Sequence, residues 1–192
     1  RVKMMGKPEA PYDQDSEAMR PCKQVVWSLL GAGGEPVTEW GDLEEVVRQS
    51  KMYDNITGGV FDDFFLPHRI AHFTPEKLLE VKKKMCEDAG RNLDMWVVFY
   101  EQKFDTPNLA DYLNAFDVIT NWTWCGSNIK DLRKNLDALR EMAPTKRIMA
   151  GCYMWNYGER CPLTIEQMQE QCDTYLELVK EGVIEGIIVC SN

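Results

Sequence analysis

Two adjacent carboxylates, Asp62 and Asp63, stand in the stretch FDDFF, between Phe61 and the pair Phe64 and Phe65. Taking a carboxylate out of water costs several kcal/mol unless something compensates. Such a placement has a use where desolvation raises the pKa and lets the acid donate a proton near neutral pH. Glu101, closing the stretch WVVFYE, supplies a third carboxylate. Two carboxylates flanking one cleft suit glycoside hydrolysis: one protonates the leaving oxygen, and the other attacks or stabilises the developing cation. The non-catalytic alternatives are plain. The aspartates can cap backbone amides or bind Arg69, and Glu101 can open a solvated loop, EQKFD.

A second group of residues could bind rather than react. Tyr100, Asn121, Trp122, Trp124, Tyr153, Trp155 and Tyr157 collect in three short stretches, VVFYE, TNWTW and YMWNYG. Sugars present apolar C–H faces that stack on rings, and hydroxyls that pair with Tyr, Asn and the Trp N–H. Tyr and Trp offer both an apolar body and a polar tip. The competing reading is core packing, with about half of the rings facing the helix layer. In HRIAH, His68 and His72 are four apart, but Arg69 stands where the zinc-protease motif needs Glu. No metal and no cofactor are expected. The segment reads as a loop over the mouth of the site, with Arg69 or His68 pairing the aspartates.

The composition narrows the partners. The chain has 192 residues, is 44% hydrophobic and carries a net charge of −9 without a basic run. A phosphate-backbone partner needs a basic surface, so nucleic acid is not expected. No stretch approaches the roughly 18 uninterrupted apolar residues of a membrane helix. RVKMMGKPEA lacks the apolar core of a signal peptide, and the absence of an initial Met suggests a processed or trimmed product. The seven cysteines are an odd number without a CxxC pair, and most read as buried free thiols, with a Cys152–Cys161 bridge the weaker option. The sequons at Asn55 and Asn121 fall at or near strands and read as chance.

Elements that could position these residues alternate along the chain. Residues 1–22 form a polar lead-in with a short helix near Ser16–Met19, and 23–192 form the domain. Apolar runs at 23–31, 56–65, 93–101, 117–124, 146–158 and 184–192 read as strands, the first ended by a turn at GAGGEP (31–36). The intervening stretches 39–50, 74–90, 108–116, 127–144 and 164–182 read as helices. Thr74, Pro75 and Gly90 mark the limits of one helix, and Thr164 with Gln167 forms a capping box on another. Near-continuously apolar strands are buried on both faces, as in a parallel sheet covered by helices. The expected class is α/β, a parallel (β/α)8 TIM barrel carrying about six of its eight βα units. Chemistry-bearing residues gather at strand C-terminal ends, where barrel sites are built. GAGGEP lacks the dinucleotide-binding glycine spacing, which counts against a doubly wound sheet. No lysine lies in the body of a strand, which disfavours Schiff-base chemistry.

GGVFDDFF, WVVFYE, DVITNWTW and GCYMWNYGE resemble strand ends of TIM-barrel proteins of the glycoside-hydrolase type from gut Bacteroides-like bacteria, over roughly 23–192. The chitinase-type signature, with acids at alternate positions ending in Glu, is missing, as is the Asn-Glu pair of the large retaining clan. No catalytic residue is therefore carried over. The resemblance implies a barrel, a small-molecule or oligosaccharide ligand, and export to the periplasm or beyond, with the cytoplasm as the alternative. The expectation is a carbohydrate-active hydrolase using Asp62 or Asp63 with Glu101. The rivals are a metal-dependent barrel lyase or isomerase and a non-catalytic sugar-binding barrel.

Overall fold

The computed structural model describes residues 10–31 and 38–190. Most of the expected GAGGEP turn, the first nine residues of the lead-in and Asn192 lie outside them. The chain divides into two compact units. One runs to Val98 and takes in Ala115–Asp117; the other holds Phe99–Asn114 and everything from Val118.

In the first unit a short helix α1 (Asp13–Ala18) precedes strand β1 (Val25–Leu30). Helix α2 (Leu43–Met52) leads to strand β2 (Ile56–Phe61), and α3 (Pro67–His72) and α4 (Pro75–Ala89) lead to β3 (Asp94–Tyr100). The last two residues of β3 belong to the second unit. β1, β2 and β3 run parallel, with Trp27 opposite Gly59 and Gly59 opposite Met95. Gly58 is needed there: a Cβ would stand 2.1 Å from the carbonyl oxygen of Asp94. The limits of α4 follow its sequence. The Thr74 hydroxyl accepts from the Lys77 N–H, Pro75 takes the first turn, and Gly90 closes the helix at φ 71°.

The phenylalanines of FDDFF enter the core. Phe61 and Phe64 are fully buried and meet edge to face at 5.7 Å. Phe61 also packs edge-on against Phe73 at 5.3 Å and Phe116 at 5.6 Å. β2 ends at Phe61, four residues earlier than its apolar run. HRIAH is helix rather than loop, because Pro67 sits at the first position of α3.

The second unit contains α5 (Leu109–Ala115), most of it here, then β4 (Val118–Trp122), α6 (Leu132–Met142), β5 (Arg147–Tyr153), a hairpin of β6 (Trp155–Asn156) and β7 (Cys161–Pro162), α7 (Ile165–Lys180) and β8 (Gly186–Cys190). β4, β5 and β8 are parallel, pairing Trp122 with Gly151 and Gly151 with Ile188. The long run at 146–158 is therefore two elements. Its last residues leave the parallel sheet and pair antiparallel, Trp155 with Pro162. The helix expected from 127 begins as a 3-10 turn at Gly126–Asp131. Thr164 and Gln167 form the expected capping box of α7. The fold is α/β, with parallel strands joined through helices in each unit.

Both sequons are structurally engaged. The Asn55 amide donates to the carbonyls of Met19 and Cys22, and Asn121 is wholly buried. None of the seven cysteines forms a disulfide, and, contrary to the expectation that most are buried, only Cys152 is. Burial, with Cys172 as the next cause, pushes the Cys152 thiol up to about 11. At pH 8 iodoacetamide should therefore label the exposed Cys172 and leave Cys152 unmodified, as read by peptide mass spectrometry. Rapid labelling of both would contradict this burial. Among the described residues no helix is long and apolar enough to cross a membrane.

Candidate functional site

The acid pair belongs to the first unit. The Asp62 N–H continues the strand ladder, donating to the Leu30 carbonyl at 2.9 Å. Asp62 is 6% exposed, and its Oδ1 accepts from the Asp63 N–H at 2.9 Å. Asp63 is half-buried and turns the chain in the left-handed region, at φ 43°. Arg69 is fully buried on α3 and donates to the carbonyls of Gly31 and Asp62. It thereby fastens the ends of β1 and β2 together through their backbone. His68 and His72 are exposed. Among the described residues no group of three or more His, Cys, Asp or Glu side chains is placed to hold a metal ion.

The aromatics belong to the second unit, where five of them form a continuous chain. Tyr100 meets Trp124 edge-on at 5.4 Å, and Trp124 stacks on Tyr157 at 5.0 Å and 27°. Tyr157 contacts Tyr153 at 4.7 Å, and Tyr153 contacts Trp122 at 4.6 Å. The register explains the inner end of the chain. Trp122 lies over Gly151, where a Cβ would come within 2.0 Å of the indole. The opposite face of β5 is the one that meets α7, since the Gln171 amide donates to Cys152 at 3.2 Å. Trp122 and Tyr153 are buried, while Trp124 and Tyr157 are half-buried at the outer end.

Glu101 holds this arrangement rather than opening a solvated loop. It starts a 3-10 turn after β3. Its two carboxylate oxygens accept from the Trp124 N–H at 3.0 and 2.9 Å, and one accepts from Asn128 Nδ2 at 3.2 Å. The Trp124 carbonyl in turn accepts from the Gly158 N–H at 3.0 Å. Replacing Glu101 by Ala leaves two donors without their charged acceptor. The expected cost is about 1–3 kcal/mol in urea unfolding, with a red shift of tryptophan fluorescence as the Trp124 segment loosens. Unchanged stability and emission would show that Glu101 holds nothing in place.

Two of the expected ligand-binding residues lie elsewhere. Asn121 is opposite Ala150 in register, on the face away from Trp122. It is fully buried there, and among the described residues neither amide atom has a hydrogen-bond partner, nor does the Thr123 hydroxyl. Trp155 is 41% exposed on the β6–β7 hairpin, not on a strand of the parallel sheet.

Sequence reasoning missed three polar residues near the rings: Asn128, Asn156 and Glu159. Asn156 Nδ2 donates to Glu159 at 2.8 Å, and Asn156 Oδ1 accepts from the Glu159 N–H at 3.1 Å. The spacing Asn156-x-x-Glu159 after a strand run is the signal that could have found this turn.

Three solved structures place the fold among known proteins. The Bacillus megaterium spore cortex-lytic enzyme SleL aligns at TM-score 0.65 and 12% identity, over 97% of this chain and 60% of that one. A glycoside hydrolase family 18 N-acetylglucosaminidase from Paenibacillus barengoltzii aligns at 0.54 and 14%, over 80% and 61%. Rhizobium etli pyruvate carboxylase aligns at 0.53 and 11%, over 95% and 17%. These likenesses define the class of fold, a TIM-barrel type of parallel βα units, and different chemistries share it. The chain spans about 60% of the first two proteins' length. No protein-family model and no curated protein matches it, and nothing in these likenesses bears on a Bacteroides-type source.

Proposed function

We propose that the chain is part of a (β/α)8 barrel of glycoside-hydrolase type that holds an oligosaccharide at the C-terminal ends of its strands. The observation that carries this reading is the ring chain Tyr100–Trp124–Tyr157–Tyr153–Trp122, which is anchored by the buried Trp122 and Tyr153 and is half-exposed at Trp124 and Tyr157. Half-buried stacked rings leave one apolar face for the C–H face of a sugar. Two of the aligned structures, the N-acetylglucosaminidase and the cortex-lytic enzyme, support a glycan as the ligand class. Asp62 is the proposed general acid, because it is nearly buried beyond the end of β2. Asp63 fixes its orientation through the 2.9 Å hydrogen bond.

A second reading, a sugar-binding barrel without turnover, is favoured by one specific observation. Both Glu101 oxygens share the single Trp124 N–H, and one also accepts from Asn128, which suits an anchor better than a nucleophile. The test is hydrolysis of aryl glycosides and natural oligosaccharides alongside calorimetric titration with the same sugars. Turnover supports the enzyme, binding without turnover supports the second reading, and neither would overturn both.

A further inference from the structure

We infer that Glu159 is a ligand-binding residue of the aromatic cluster, accepting hydrogen bonds from the hydroxyls of a sugar stacked on Trp124 and Tyr157. The inference rests on the carbohydrate reading above and adds a polar contact to it.

The geometry comes from the backbone. The Gly158 N–H donates to the Trp124 carbonyl at 3.0 Å, and a Cβ on Gly158 would stand 2.0 Å from the Cys125 sulfur. The turn 157–160 is thus fastened directly against the Trp124–Cys125 segment. Tyr157, at one end of that turn, stacks on Trp124. Glu159 follows Gly158, so its carboxylate emerges from the same turn that places the outer ring. Its charge is felt at the cluster. The Cys125 thiol is held above its ordinary pKa first by burial, then by the carboxylates of Glu101 and Glu159.

Glu159 is also held in a defined position. Asn156 is buried at the start of the hairpin, donates its amide to Glu159 Oε2 and accepts the Glu159 N–H. One side chain therefore grips both the backbone and the carboxylate of Glu159. An exposed glutamate free to rotate would lose more side-chain entropy on binding; this one has already given part of it up. Oε2 carries the bond to Asn156, while Oε1 remains available. An ionised carboxylate accepts only, so it suits ligands rich in hydroxyl donors. Glu101, by contrast, already spends acceptor capacity on the Trp124 N–H and the Asn128 amide, which fits a structural role.

The test is calorimetric titration of the 192-residue chain with chitotetraose, cellotetraose and xylotetraose, using wild type, Glu159→Gln, Glu159→Asp and Trp124→Ala, each with a thermal melt. The inference expects Glu159→Gln to bind about tenfold to hundredfold more weakly, the range for a hydrogen bond to a charged group. Its melting temperature should stay within about 2 °C of wild type, as for an exposed side chain. Glu159→Asp should recover part of the loss. Equal affinity of Glu159→Gln and wild type would overturn the role of Glu159 while leaving the sugar platform standing. Unaltered binding by a folded Trp124→Ala would overturn the platform, and no binding of any tetrasaccharide by wild type would overturn the carbohydrate reading itself.

Discussion

Asp62→Asn is expected to lower kcat/KM on any glycoside the protein cleaves by about 10²–10⁴-fold, the usual cost of losing a general acid. The substitution keeps the shape of the side chain and removes its transferable proton. Asp62 is the better placed of the two acids. Its N–H donates to the Leu30 carbonyl just beyond the end of β2, and it is 6% exposed. Its Oδ1 acceptor role toward the Asp63 N–H can be taken over by the Asn carbonyl oxygen, so the melting temperature should change little. Asp63→Asn is the matched control. Asp63 sits at φ 43°, a conformation that Asn tolerates well, so that variant should fold and retain most activity. Equal activity in all three proteins would make the pair structural. The answer to the position of two carboxylates among phenylalanines would then be a turn, not a catalytic group.

Phe61→Ala is expected to cost about 3–5 kcal/mol in stability, the usual range for emptying an aromatic site in a packed core. In a domain of this size that lowers Tm by about 6–20 °C. Phe61 has no exposed surface and meets Phe64, Phe73 and Phe116 edge to face, so one truncation removes three ring contacts and leaves a void lined by rings. Phe61→Leu should recover more than half of the loss, since it refills most of the volume. Thermal melts of the three proteins decide the matter. A loss below about 1 kcal/mol for Phe61→Ala would mean that this cluster is not the core of the first unit.

Apart from α3, which read as a loop, and the β6–β7 hairpin, the order and type of the elements were legible because local chemistry sets them. Thr74, Pro75 and Gly90 delimit α4 with no help from the rest of the chain, and Thr164 with Gln167 starts α7 in the same way. Strand ends were less legible, because apolar runs continue past the last ladder bond. FDDFF reads as strand to Phe65, yet the chain turns at Asp62 and the later phenylalanines enter the core. YMWNYG reads as one strand, yet its last residues form half of a hairpin. Side-chain facing was the least legible feature. Asn121 and Trp122 are neighbours in sequence, and a single step of alternation sends them to opposite faces of the sheet.

The candidate site shows the same limit. Residue types alone marked Glu101 as an acid able to react. Only the fold reveals that the Trp124 N–H and the Asn128 amide occupy it. Conversely, Glu159 carried no mark in a polar stretch, and it gained meaning only when the turn 157–160 was found fastened to Trp124. The ring chain lies between these cases. Its members were visible as a composition of Trp and Tyr at strand ends, and its connectivity was not.

The central claim is that the rings of the second unit receive a sugar, and a crystal structure of the chain with a bound tetrasaccharide tests it most directly. The account predicts a pyranose ring lying flat at about 3.5–4 Å, ordinary van der Waals contact, from Trp124 or Tyr157. A tetrasaccharide bound only at sites remote from Tyr100, Trp124, Tyr153 and Tyr157 would contradict it.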